Sequence, residues 1–309
     1  MALIQPPMLT HGGTHPARAF RMMVRDLASG NQGVTEGNDL KVRAWTTPGA
    51  GVRVGDGSAV IRGAAWGQGS YTQYNVGDAV VPIAPTGSTG RSDLICLRVE
   101  DPEYEGNRNP AADEIGYFHV VSGVSATTTN VPPGMTAIPL ARLDLPANTA
   151  TVTTAMIKDL RRIANPRRDR KLYTAFPSGL SELKYQDNKW HAWPAAARWA
   201  VPIPAWAVSA KVVITIAGLR MARADVFASM QTKLGSDLGQ NTIIDDNQSS
   251  TVRRQTVVVA DNITISSEQR NTTQLLTLQT YMSKTETGDL SVDASTSIIA
   301  DVEFTEGVL

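Results

Sequence analysis

Short runs of alternating apolar and polar residues dominate the chain from Asp39 onward. Alternation of this kind buries one side of an extended strand and leaves the other side in water. Glycine, proline and asparagine interrupt the runs at the short intervals typical of antiparallel sheets. The predicted strands are residues 40–46, 51–54, 58–66, 78–83, 94–100, 115–122, 136–143, 210–217, 224–234, 251–260, 274–282, 290–293 and 297–304. We therefore predict a mainly β protein with two antiparallel β-sandwich domains of jelly-roll type.

Two stretches have helical spacing instead. Residues 17–27 carry an apolar stripe that predicts a short helix. Residues 153–164 begin with threonines able to cap a helix, and they place Met156, Leu160 and Ile163 at i, i+4 and i+7. A proline shortly afterwards would end that helix. The second stretch predicts a helical junction whose apolar stripe is a candidate oligomer contact, for example around a threefold axis.

These elements predict four segments. Residues 1–38 form an N-terminal arm with a short helix, and residues 39–152 form the first β domain. Residues 153–172 form the helical junction, which holds six basic residues between Arg161 and Lys171. Residues 173–309 form the second sandwich. We expect the junction arginines to be solvated or to pair with acids of neighbouring chains, rather than to bind nucleic acid.

Composition narrows the possible functions. The chain has 29 basic and 29 acidic residues, so no overall field attracts it to nucleic acid or to an acidic membrane. No apolar run is long enough for membrane insertion. The chain has a single cysteine, Cys96, so no internal disulfide can form. Cys96 lies in an apolar run, which predicts an inert, buried thiol.

Sequence motifs give little support for catalysis, a metal or a cofactor. No nucleophile elbow, phosphate-binding loop or zinc-binding spacing occurs in the sequence. Acidic residues at 101, 103 and 105 resemble half of a calcium loop, but the glutamate expected at its twelfth position is Ala112. We therefore predict a solvated acidic turn, and neither a catalytic site nor a metal or cofactor site.

The tryptophans are the most suggestive functional feature. Four of the six lie between residues 183 and 206. Indole rings stack on the apolar faces of sugars, although they also close sandwich ends or chain interfaces. We expect Trp190 and Trp193 to be the exposed pair. With the neighbouring Asp187, Asn188 and His191 they form our candidate glycan site.

Four segments together carry a family resemblance. They are VRVGDGSAVIRG (52–63), YTQYNVGDAVVPI (71–83), GRSDLICLRVEDPEYEG (90–106) and IPLARLDLPANTATVTTAMIKDLR (138–161). In order and spacing they resemble the N-terminal domain of minor tail or baseplate proteins of siphophages that infect actinobacteria. The resemblance implies a virion protein, assembled in the host cytoplasm, that is often trimeric. Its N-terminal domain would dock on other tail or baseplate proteins, and its C-terminal domain would contact a host cell-surface glycan.

Two other functions remain open at this point. One is a purely structural head or tail decoration subunit that binds no receptor. The other is a cell-wall glycan hydrolase, which needs two facing carboxylates in a cleft. Asp225, Asp245 and Asp246 supply candidate carboxylates, but the sequence does not pair them.

Overall fold

A computed structural model of the chain describes residues 4–47, 49–183, 187–248, 250–285 and 287–309. The chain divides into two compact units. Unit 1 comprises Met1–Pro166 together with Gly307–Leu309, and unit 2 comprises Arg167–Glu306. The division therefore lies inside the predicted junction, and the last three residues belong to unit 1.

Unit 1 is built from one α-helix and short strands. The helix α1 spans Ala17–Leu27, as its apolar stripe predicts. The strands are β1 (Gly33–Val34), β2 (Val42–Ala44), β3 (Gly51–Val54), β4 (Gly57–Arg62), β5 (Ser70–Asn75), β6 (Ala79–Pro82), β7 (Arg91–Val99), β8 (Gly116–Val124), β9 (Ala137–Leu145) and β10 (Ile157–Asp159). They form three sheets with the orders β1-β4-β5, β2-β3-β6 and β10-β9-β7-β8.

One apolar cluster lies between these three sheets. Ile61 comes from the first sheet, Val52 from the second and Leu140 from the third, and all three are fully buried. Three small sheets can share a core because each is apolar on one face only. A smaller cluster, which contains Cys96, lies apart from this core.

The predicted junction helix is wrong. Thr154–Met156 form a single 3-10 turn, and the chain then enters β10, where Ile157 pairs with Leu143 of β9. The pairing with β9 overrides the weak helical pattern. Met156 and Ile163 pack against the main core of unit 1, and Leu160 packs against the smaller cluster. The three residues therefore do not form a free helical stripe.

Unit 2 contains two larger antiparallel sheets. Its strands are β11 (Arg168–Ala175), β12 (Ser181–Glu182), β13 (Trp190–Ala192), β14 (Arg198–Pro202), β15 (Ala207–Ala222), β16 (Val226–Leu234), β17 (Asp237–Leu238), β18 (Thr242–Asp246), β19 (Arg253–Thr264), β20 (Thr273–Met282), β21 (Asp289–Val292) and β22 (Ser297–Glu306). One sheet has the order β11-β22-β15-β21-β12, with β19 also paired to β15. The other has the order β13-β20-β16-β17, with β14 and β18 added to β20 and β16.

The two sheets of unit 2 enclose one apolar core. Ile214 of β15 contributes from the first sheet, and Met230 and Leu278 contribute from the second. Side chains alternate along each strand, so the neighbours of these residues point away from the core. The predicted fold class, mainly antiparallel β, is confirmed.

Most arginines of the basic run form ion pairs with acidic residues of the same chain. The observed partners are Asp159 for Arg161, Glu306 for Arg167, Glu303 for Arg168 and Asp301 for Arg170, while Lys171 lies over the ring of Tyr173. Arg162 has neither an ion pair nor a side-chain hydrogen bond with any residue that the structure describes. Over the same residues, no helix is long and apolar enough to span a membrane.

Candidate functional site

The predicted glycan residues begin in a tight turn before β13. The Asn188 side-chain oxygen accepts hydrogen bonds from the Tyr281 hydroxyl at 3.1 Å and from the Lys284 backbone N–H at 3.0 Å. Asn188 also has a φ of 60°, a left-handed conformation that asparagine tolerates well. These bonds fix the turn against the end of β20, so the Asn188 side chain has a structural role.

Asp187 and His191 form a second contact across the same turn. His191 Nε2 lies 3.0 Å from Asp187 Oδ1, and the Lys189 backbone N–H donates to the same oxygen at 3.1 Å. The hydrogen bond from His191 lowers the pKa of the Asp187 carboxyl below its usual value. The carboxylate is therefore ionised at neutral pH and holds the turn in place beside Trp190.

Trp190 is exposed and pairs with a second aromatic ring. It lies opposite Tyr281 in the β13–β20 ladder, and the two ring centroids are 5.8 Å apart with an interplanar angle of 47°. The indole is 36% exposed. The two rings present a tilted aromatic surface of the kind that stacks on sugar rings.

Trp193, the other predicted ring, is buried. It is only 6% exposed and belongs to the core of unit 2. Its backbone is fixed to β20, because Thr280 Oγ1 donates to its carbonyl at 2.8 Å. Residues three apart on an extended segment face opposite sides, so Trp190 and Trp193 do not share a surface. The prediction that they form an exposed pair is wrong for Trp193.

Strand register places two glutamines on the same surface as the aromatic pair. Ser229 of β16 lies opposite Tyr281, and Gln231 lies opposite Gln279. Their neighbours on the other side of the sheet are core residues, so these side chains point outward. Ser229 and Gln231 are buried and Gln279 is half-buried, yet neither glutamine side chain hydrogen-bonds to another described residue. We call Trp190, Ser229, Gln231, Gln279 and Tyr281 the outer face.

Two exposed apolar residues border the outer face. Ile243 of β18 lies opposite Ser229 and is 63% exposed, and Phe227 of β16 is 38% exposed. Sequence reasoning found only Trp190 among all these residues. Tyr281, Gln231 and Gln279 come from other strands, and only the sheet register shows that they are neighbours.

The carboxylates considered for hydrolysis do not face one another along β18. Asp245 and Asp246 are consecutive on the strand, so their side chains point to opposite faces. Asp246 Oδ1 accepts a 2.7 Å hydrogen bond from Arg253 Nε. Asp225 lies just before β16, opposite neither of them in the register.

Arginines engage the acidic turn of unit 1. Asp101 pairs with Arg21, and Glu103 pairs with the same guanidinium. Glu105 pairs with Arg98. These ion pairs fix α1 and the turn to the rest of unit 1.

Comparisons with known proteins identify no family. No family model matches the chain, and no curated protein matches it. Solved structures align over most of its length, but only weakly. Infectious bursal disease virus Gx strain aligns at 10% identity over 90% of this chain and 76% of that chain, with a TM-score of 0.28. The VP2 subviral particle of infectious bursal disease virus aligns at 10% identity over 90% and 72%, with a TM-score of 0.29.

A bacterial protein aligns equally weakly. Dimeric latent PorU from Porphyromonas gingivalis aligns at 10% identity over 89% of this chain and 21% of that chain, with a TM-score of 0.25. TM-scores this low establish neither a shared fold nor a shared function. The resemblance to siphophage tail proteins therefore stays a prediction.

Proposed function

We propose that this chain is a structural protein of a phage tail tip or baseplate, and that unit 2 binds a host cell-surface glycan through the outer face. One observation carries the proposal: the exposed Trp190 ring lies against the half-buried Tyr281 ring, beside two glutamines without hydrogen-bond partners among the described residues. Aromatic rings contact the apolar faces of sugars, and amide groups both donate to and accept from their hydroxyls.

The charge of the outer face favours a neutral sugar. Its five residues carry no formal charge, and the charged residues on the same side of the sheet, including Lys233 and Asp245, lie beyond them. An anionic sugar would lose hydration at this surface without gaining an opposite charge. We therefore expect uncharged hexose units to bind.

The proposal includes a homotrimer that docks on other tail or baseplate proteins through unit 1. Several weak sites on one particle raise the overall avidity because the second contact forms at a high effective concentration. Light scattering on the full chain tests the oligomeric state. A mass three times that of one chain supports the trimer, and a monomeric mass contradicts it.

Binding of the labelled full-length protein to actinobacterial cells and their extracted polysaccharides tests the glycan site. We expect saturable binding that weakens about tenfold in Trp190→Ala, since a stacked ring contributes about 1 to 2 kcal/mol. Trp66→Ala is the matched control, because Trp66 is 70% exposed but lies in unit 1. Equal binding by both variants and the wild type would contradict the site. Complete absence of binding would favour the decoration subunit.

A further inference from the structure

A cavity in unit 1 is lined by two unpaired arginine side chains and by apolar residues. Its volume is about 430 Å³, within the range of about 300 to 1,000 Å³ typical of small-molecule sites. Arg62 and Arg162 line it, and none of its lining residues is acidic. Ile138, Leu160 and Ile163 supply apolar surface in the same cavity.

Neither arginine is neutralised by the protein. The structure describes no ion pair and no side-chain hydrogen bond for either guanidinium group. By contrast, Arg18, Arg21 and Arg91 of the same unit have carboxylate partners. Two free guanidinium groups at one cavity form a site for an oxyanion, because each can donate two parallel hydrogen bonds.

The backbone holds the two arginines in place. The Val34 N–H donates to the Arg162 carbonyl at 2.8 Å, and the Ala164 N–H donates back to the Val34 carbonyl at 2.9 Å. The Arg62 N–H donates to Gln32 Oε1 at 3.2 Å, which orients the Gln32 amide at the cavity edge. A Cβ on Gly33 would lie 2.1 Å from the Arg162 carbonyl oxygen, so only glycine permits this close approach.

We propose that this cavity binds a small organic anion. Arg62 and Arg162 hold its phosphate or carboxylate group, and its apolar part contacts Ile138, Leu160 and Ile163. The site is separate from the outer face, which lies in unit 2. It also gives a role to Leu160 and Ile163, the junction residues that the sequence assigned to an oligomer contact.

Calorimetric titration of the full-length protein with phenyl phosphate, at low ionic strength, tests this proposal. Phenyl phosphate should bind more tightly than inorganic phosphate, which lacks an apolar part, and phenol should not bind. Arg62→Gln and Arg162→Gln should each weaken binding about tenfold. Arg43→Gln, which removes an exposed arginine of β2 outside the cavity, should leave the affinity unchanged.

Two other ligands test which class of anion binds, and a salt titration of the wild type gives a result that does not depend on the folding of any variant. Benzoate tests a carboxylate head, and a short glutamate peptide tests an acidic segment of a neighbouring protein. Wild-type affinity for phenyl phosphate should also fall as salt is added, a result that needs no variant. The proposal is overturned if the wild type does not bind phenyl phosphate at millimolar concentration or if only the peptide binds. It is also overturned if the variant that combines Arg62→Gln with Arg162→Gln binds phenyl phosphate as tightly as the wild type does.

Discussion

The two units place their polar groups differently. In unit 1 charged groups reach the interior, since Asp93 is fully buried and Arg161 is 4% exposed. In unit 2 the core is one apolar cluster, and Glu306 is the one buried charged residue among those described. Unit 1 therefore needs partners for buried charges. Unit 2 buries mainly uncharged polar groups, such as Thr232 and Thr280, whose desolvation costs less.

The contrast also shows which polar groups are exceptional. Most arginines of both units have carboxylate partners, as the pairs of Arg21 and Arg170 illustrate. Unpartnered polar groups are of interest where several of them share one surface. The amides of Gln231 and Gln279 do so in unit 2, and the guanidinium groups of Arg62 and Arg162 do so at the cavity of unit 1.

The largest expected effect is the difference in unfolding free energy between removing a core tryptophan and removing a surface tryptophan of unit 2. Trp193→Ala should lower the free energy of unfolding by about 3 to 5 kcal/mol, because it leaves a large cavity in the core. Trp190→Ala should cost under about 1 kcal/mol, since its ring is partly in solvent. Denaturant unfolding of both variants measures the difference. Equal losses would show that the outer face is part of the core.

The next prediction concerns the buried arginine of unit 1. The Arg161 guanidinium donates to the carbonyls of Gly37 and Asp39 at 3.1 and 2.6 Å, and to that of Leu309 at 3.1 Å. Arg161→Ala should destabilise unit 1 by about 3 kcal/mol, because one buried and two partly buried backbone oxygens lose their donor.

Arg168→Ala is the control for this change. Arg168 is 68% exposed in its side chain and lies 3.5 Å from Glu303, so its loss should cost under about 0.5 kcal/mol. Urea unfolding measures both variants. A loss at Arg161 as small as that at Arg168 would refute the idea that unit 1 needs its interior polar contacts.

A smaller, pH-dependent effect is expected at the margin of unit 2. Burial opposes ionisation of Glu306, but hydrogen bonds from the Arg167 side chain and backbone outweigh it and lower the pKa of Glu306. A lowered folded-state pKa gives stability that is present above the unfolded pKa of about 4.3 and is lost as pH falls through the folded value.

Glu306→Gln should therefore reduce the acid sensitivity of unfolding below about pH 4.3, and should cost about 1 to 2 kcal/mol at neutral pH. Thermal unfolding across that pH range measures both. Glu303→Gln, at a longer and more exposed ion pair, should do less. If Glu306→Gln unfolds with the same pH dependence as the wild type, ionised Glu306 does not stabilise the fold.

The smallest expected change is chemical rather than energetic. Burial raises the pKa of Cys96 to about 12, so the thiolate is rare at neutral pH. The folded protein should not react with a thiol reagent over minutes, whereas the urea-unfolded protein should react at once. Rapid labelling of the folded protein would show that the smaller cluster of unit 1 opens readily.

Sequence reasoning recovered elements whose signal is local. Helix α1 and most long strands, such as β20, follow from the spacing of their apolar residues. The junction failed because three apolar residues at helical spacing also suit an extended segment, and pairing with β9 decided the outcome. The outer face could be predicted only at Trp190. Tyr281 joins it through a register between strands far apart in the sequence.

The central claim is that the outer face of unit 2 binds glycan, and fluorine NMR tests it most directly. Protein labelled with 5-fluorotryptophan carries a probe at each of its six tryptophans. Titration with cell-surface polysaccharide fragments should shift the Trp190 signal, and Tyr281→Ala should weaken that shift. The Trp66 and Trp199 signals should stay in place, because these rings lie in unit 1 and in the core of unit 2. Binding that leaves the Trp190 signal unmoved would contradict the claim.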